Sequence, residues 1–225
     1  MDTELWTAVD RYTTDRLLPP DPALDAALTA SQAAGLPSIS VSPSQGKMLM
    51  LLAQLAGASR ILEIGTLGGY SSIWLARALR PGGRLITLEA NAKHAQVAGA
   101  NIAHAGFASV VEVRLGDAHA GIEQLVAEGA APFDLIFIDA DKSGIPHYLE
   151  WSLKLAHRGT LIIVDNVIRK GALIDAKSED ANVQGAQRLH EMLAAEPRVN
   201  ATTIQTVGSK GYDGFTLALV TMDVT

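Results

Sequence analysis

The chain has 225 residues, enough for one α/β domain with a substantial core and cramped for two. About half of it is apolar and a fifth charged, which excludes a disordered chain. Its net charge of -6, with basic residues scattered in runs no longer than two, excludes a general binder of nucleic acid or anionic membrane. The absence of cysteine removes disulfides and thiolate metal sites, so any metal must rest on oxygen or imidazole ligands; it also suits a cytoplasmic protein. Met1 to Asp10 lacks the basic cluster and apolar stretch of a signal peptide, and no apolar run approaches the roughly 20 residues that span a bilayer.

The first part of the chain reads as helices over 3–18, 21–34 and 43–56, with Ser42-Pro43 as N-cap and first helical residue of the third. From Arg60 the pattern changes to short apolar strands at 60–65, 84–89, 110–115, 133–138 and 160–165. Helices near 70–80, 91–105, 119–128 and 145–157 fall between them. Such alternation predicts βαβ units and a parallel sheet. Continuous runs such as Leu135–Ile138 and Leu161–Val164 suit central strands covered on both faces. A last helix over 183–195 precedes strands near 199–207 and 213–221, joined by a Gly-rich turn. That spacing predicts a hairpin and one antiparallel strand at the sheet edge. The expected organisation is one domain over 1–225: helices over 1–58 cap a Rossmann-like, doubly wound core over 59–225.

Ligands of such sheets bind outside the carboxyl ends of the strands. Polar or acidic residues close nearly every strand there: Glu63 with the turn from Gly65 to Ser71, then Glu89, then Gly116-Asp117-Ala118, then Asp139-Ala140-Asp141-Lys142, then Asp165-Asn166. The spacing Gly65-x-x-Gly68-Gly69 is not that of dinucleotide binders. Glu63 would repel a pyrophosphate but suits a cationic ligand such as S-adenosylmethionine (SAM), and Glu89 can accept both hydroxyls of a ribose. Asp139, Asp165 and Asn166 are three hard oxygen ligands, suited to Mg²⁺ first and to Mn²⁺ or Ca²⁺. A cation there lowers the pKa of a substrate hydroxyl, and Lys142 can take the proton. His119 could edge an adenine pocket, whereas His147 and Tyr148 are expected near the acceptor.

With these motifs in order, the chain resembles the cation-dependent O-methyltransferases, the family that includes caffeoyl-CoA and, more distantly, catechol O-methyltransferases. The similarity spans about residues 35–221. It implies a seven-stranded, mostly parallel sheet with the last strand antiparallel, SAM as methyl donor and a divalent cation. Carried over by position, it implies a cation on Asp139, Asp165 and Asn166, with Lys142, Asp139 and Asn166 as catalytic residues. The donor would contact Val41, Glu63, Gly65, Thr66, Ser71, Glu89, Ala118, Asp139 and Asp141. The reaction expected is methyl transfer to a cation-activated hydroxyl of a small aromatic vicinal diol. A homodimer is expected from Leu5, Trp6, Val9, Tyr12, Leu17 and Leu18 in the first helix and from the resemblance. Two rival readings are an NAD-dependent oxidoreductase, disfavoured by the glycine spacing and Glu63, and a non-catalytic SAM-binding protein, disfavoured by the metal-type residues and Lys142.

Overall fold

The computed structural model describes residues 3–130 and 132–222. Met1, Asp2, Ala131 and residues 223–225, which the single-domain expectation includes, lie outside the described residues. Three helices lead the chain: α1 (Thr3–Leu17), α2 (Pro22–Ala33) and α3 (Pro43–Leu55). Asp21 caps α2 by accepting the Leu24 N–H, and Ser42 caps α3 by accepting the Gln45 N–H at 3.2 Å; each helix opens on proline, whose missing N–H is no loss at that position. The alternating part follows as β1 (Arg60–Ile64), α4 (Tyr70–Ala76), β2 (Arg84–Glu89), α5 (Ala92–His104), β3 (Val111–Leu115), α6 (Ala118–Ala127), β4 (Phe133–Ile138), α7 (Ile145–Lys154), β5 (Ala156–Asp165), α8 (Ala181–Ala195), β6 (Val199–Gly208) and β7 (Gly211–Val220).

The strands form one seven-stranded sheet in the order β3-β2-β1-β4-β5-β7-β6. β1 to β5 pair in parallel, and β7 runs antiparallel to both β5 and β6. The last strand in the chain is thus the reversed one, as expected, but it does not lie at the edge. It inserts between β5 and β6, leaving β6 outermost. The hairpin is also tighter than the sequence suggests. Gly208 pairs with Gly211 across Ser209-Lys210 alone, so Tyr212-Asp213-Gly214 belongs to β7.

Alternation along each strand sends Ile61, Leu85, Leu135 and Phe137 to one face, where they pack with α2 to α5. Leu62, Ile64, Ile136 and Ile138 go to the other, against α6, α7 and α8. Burial on both faces explains the unbroken apolar runs of β4 and β5. Two helix ends differ from expectation. α4 stops at Ala76 rather than near residue 80, and α7 stops at Lys154, because Ala156 already pairs with Phe133 on β4. The β4–β5 register then breaks, resuming at Leu135 opposite Leu161, so β5 begins four residues earlier than predicted.

Candidate active site

The acids identified in the sequence converge at the carboxyl edge of the parallel strands. At the opposite edge lies a cavity of about 270 Å³ lined by Arg60, Arg84, Val111 and Phe133, away from every strand-end acid. Gly65 shows why β1 must end in glycine. Its φ is +101°, and a Cβ there would meet the Asp139 carbonyl oxygen at 2.4 Å, so β1 and β4 could not turn away side by side with any other residue. The turn that follows is pinned from three sides. Thr66 Oγ1 lies 2.5 Å from Thr87 Oγ1. Glu89 Oε2 accepts the backbone N–H of Thr66 at 3.2 Å and of Leu67 at 2.8 Å. Asn101, buried on α5, donates to the Gly68 carbonyl at 2.9 Å and to the Ala27 carbonyl at 3.2 Å, tying the turn to α2.

Glu63 is fully buried, and its carboxylate is taken up by three hydroxyls: Ser71 at 2.6 Å, Thr87 at 2.7 Å, and Ser72. Burial pushes this carboxyl up to about 7 while the three hydroxyls pull it back. With no exposed surface, Glu63 holds the Ser71 hydroxyl in a fixed orientation at the start of α4. Glu89 is nearly buried and keeps its other oxygen on the Asn91 N–H at 2.9 Å, with His94 Nδ1 3.5 Å away. Val41 is buried just before the α3 cap, and Ala118 is buried as the first residue of α6, behind the Asp117 cap.

Asp139, Lys142, Asp165 and Asn166 form a second group at the carboxyl ends of β4 and β5. Lys142 is only 7 % exposed, and its Nζ lies 2.7 Å from Asp139 Oδ1. It sits in a 3-10 turn, Lys142–Gly144, that nests against α8 at Gly185; a Cβ on Gly185 would meet the Lys142 carbonyl oxygen at 2.0 Å. Asp165 is 5 % exposed. Burial and then repulsion from Asp139 push its carboxyl up to about 7, with Lys142 drawing it back. Its Oδ1 accepts the Asn166 N–H at 2.8 Å and its Oδ2 the Gln45 amide at 2.7 Å. Asn166 has φ +55°, a left-handed backbone that asparagine tolerates better than most residues. Among the described residues no three His, Asp or Glu side chains gather as a metal-binding group. The set here is two carboxylates and one amide. A buried carboxylate and a half-buried one close enough to repel, balanced by a single lysine, are a donor set that a hard divalent cation fits.

Asp141 is held differently from its neighbours. Burial would raise its carboxyl, but hydrogen bonds from the Tyr148 hydroxyl at 2.5 Å, Ser143 at 2.9 Å and the Gly144 N–H at 2.8 Å outweigh that and lower it. Tyr148 and His147 lie with His119 on the Ala118 side, with ring centroids 4.8 Å and 4.2 Å from His119, and Tyr148 is 1 % exposed. Sequence reasoning missed Gln45, Ser72, Thr87 and Asn101, four polar side chains that hold the site residues in place. Ser72 and Thr87 carried a readable signal, being hydroxyls that β-sheet alternation and helix spacing aim toward Glu63.

Residues 23–220 match the O-methyltransferase family. The chain belongs to the O-methyltransferase family. Among O-methyltransferases of known name, it is 54 % identical over 220 residues to catechol O-methyltransferase of Niastella koreensis, covering 98 % of this chain and 100 % of that one. Among solved structures, an O-methyltransferase from Bacillus cereus in complex with SAH superposes with a TM-score of 0.96 at 57 % identity, covering 97 % and 99 % of the two chains. The O-methyltransferase TomG from Streptomyces achromogenes, involved in tomaymycin synthesis and solved with SAM, superposes at 0.95 with 52 % identity over 98 % and 99 %.

Proposed function

We propose that this O-methyltransferase transfers a methyl group from SAM to one hydroxyl of a small aromatic vicinal diol, with a divalent cation held by Asp139, Asp165 and Asn166. The observation that carries the reading is the cluster of half-buried Asp139 with buried Lys142 and Asp165 at adjacent strand ends, next to a glycine turn clamped by Glu89. The catechol O-methyltransferase of Niastella koreensis, more than half identical over its whole length, supports the choice of acceptor. The TomG and Bacillus cereus complexes support the choice of donor. When bound, a hard cation, Mg²⁺ before Mn²⁺ or Ca²⁺, would lower the pKa of the acceptor hydroxyl.

Methyl transfer is an in-line displacement at a sulfonium carbon, so the protein works chiefly by positioning and by charge. Glu89 offers carboxylate oxygens to the ribose, the Gly65–Gly69 turn lets backbone approach the donor, and Ser71, oriented by Glu63, faces its methionine end. Val41 and Ala118 supply apolar walls. Lys142 Nζ, 2.7 Å from Asp139, receives the proton of the acceptor hydroxyl as a neutral amine, after giving up its own proton to solvent. Gln45 holds Asp165 in its rotamer across 120 residues of chain and joins α3 to the end of β5.

Donor affinity tests the first half of this reading. Glu89→Ala removes a charge-assisted contact and also frees the N–H groups of Thr66 and Leu67, so SAM binding by calorimetry should weaken by about 1.5–3 kcal/mol. Wild-type affinity in that variant would remove Glu89 from the donor site.

The quaternary state is part of the same reading: a homodimer built on α1. None of that helix is buried, and Leu5, Val9, Tyr12 and Leu17 are all more than half exposed. Light scattering at micromolar concentration should give about twice the chain mass, and a monomer mass would refute it. Among the described residues no helix is long and apolar enough to cross a membrane. Together with the lack of cysteine, this suits the cytoplasm as the site of action.

A further inference from the structure

Of the four non-glycine residues with left-handed φ among the described residues, three lie between Asn166 and Lys170. Arg169 (φ +54°) and Lys170 (φ +56°) are consecutive, and Gly171 (φ +91°) continues the run. Two long side chains on such backbone are held there by β7. Asp213 accepts the N–H groups of Ile168 and Arg169, each at 3.0 Å, while Val167 N–H donates to the Gly214 carbonyl at 3.0 Å. Strain kept in place by its surroundings is characteristic of ligand-contacting segments.

The charges are a second observation. The protein is acidic overall, and Arg77, Arg114, Arg188 and Arg198 pair with carboxylates. Arg169 and Lys170 are adjacent like charges, and among the described residues neither forms an ion pair. Arg169 Nε is shut off from solvent without a hydrogen-bond partner, so its guanidinium is partly desolvated and not offset by a contacting carboxylate. The acid that feels it most clearly, Asp180, is held low first by Asn182 and only distantly by Arg169. Lys170 is exposed. Both follow within four residues of Asn166, one of the proposed cation ligands.

We propose that Arg169 and Lys170 recognise a carboxylate carried by the acceptor, so that dihydroxyaromatic acids are preferred over neutral or aminated catechols. This rests on the catechol reading above. A guanidinium presents a planar donor pair that matches a carboxylate, and the neighbouring ammonium adds a second charge. An acceptor acid also offsets two cations that the protein itself leaves unpaired.

The test compares kcat/KM for protocatechuate, its amide and dihydroxybenzylamine. Because the substituents also change the reactivity of the ring hydroxyls, the quantity read is the change in the acid-to-amide ratio between wild type and variants. In the double variant Arg169→Gln/Lys170→Gln that ratio should fall about tenfold, the amine should gain relative to the amide, and added salt should lower the ratio in wild type only. Arg169→Asn, whose side chain accepts left-handed backbone, gives the same reading if the glutamine variant does not fold. A ratio within about twofold of wild type in a folded variant overturns the proposal. A wild type inactive on all three acceptors overturns the catechol reading itself, and the proposal with it.

Discussion

Excess chelator should abolish methyl transfer, with a rate loss of roughly a thousandfold, or ~4 kcal/mol. Asp165→Ala should reproduce that loss in the presence of Mg²⁺, because it removes one of the two carboxylates in the proposed set. Donor binding should survive both treatments, since Glu89, Ser71 and the glycine turn do not depend on Asp165 in the structure. The same group predicts a pH dependence with a definite sign. Burial and Asp139 raise the Asp165 carboxyl to about 7, so a proton competes with the cation increasingly as pH falls through 7. Mn²⁺ titrations at successive pH values should show tighter binding above 7 than below. Activity should also be higher on vicinal diols than on isolated phenols, because a cation that keeps exchangeable waters can accept two adjacent oxygens. Unchanged rates in EDTA, or in Asp165→Ala, would sink the cation-assisted mechanism while leaving the donor site standing.

The second large effect belongs to Lys142. Replacing it by alanine should slow turnover by about 10²- to 10⁴-fold, the usual contribution of a positioned proton acceptor. Cation affinity should change little, since Lys142 is not among the proposed ligands. Lys142→Arg separates proton transfer from charge. A guanidinium can restore the ion pair with Asp139 but cannot take up a proton, so activity should stay low. Recovery of activity in the arginine variant would reduce Lys142 to an electrostatic partner of Asp139. A pre-steady-state measurement of the methyl-transfer step ensures that the change reports chemistry rather than product release.

Much of this was legible in the sequence because the information is local. The unbroken apolar runs of β4 and β5 mark strands covered on both faces, and each strand end carries its polar residue at the point where the strand stops. Proline after Ser42 marks the start of α3 in the same way. What was not legible depends on partners distant in the chain. Nothing near Gln45 announces Asp165, and nothing near Asn101 announces the Gly68 carbonyl; only the assembled sheet and helices bring them together. The position of β7 was misread for a related reason. Periodicity identifies a hairpin but is silent on which of its strands meets β5. The early start of β5 was hidden because Ala156-His157-Arg158-Gly159 has no strand-like alternation and is fixed by pairing with Phe133. The strained turn at Arg169 and Lys170 likewise depends on Asp213, more than forty residues on.

The insertion of β7 between β5 and β6 has a consequence for how the molecule is made. Asp165 pairs in register with Phe215, and the hairpin tip reaches back to the start of the chain: Ser209 N–H donates to Asp10 on α1, and Lys210 Nζ donates to the Ser38 carbonyl in the segment before Val41. A growing polypeptide that has already produced every acid of the site still lacks the strand that braces β5 and clamps the turn after Asn166. Such long-range closure is slow and comes late in folding. Until it occurs, β5 is an open, strongly apolar sheet edge able to pair with another chain. Ribosome-bound chains halted before residue 208 should therefore be prone to aggregation.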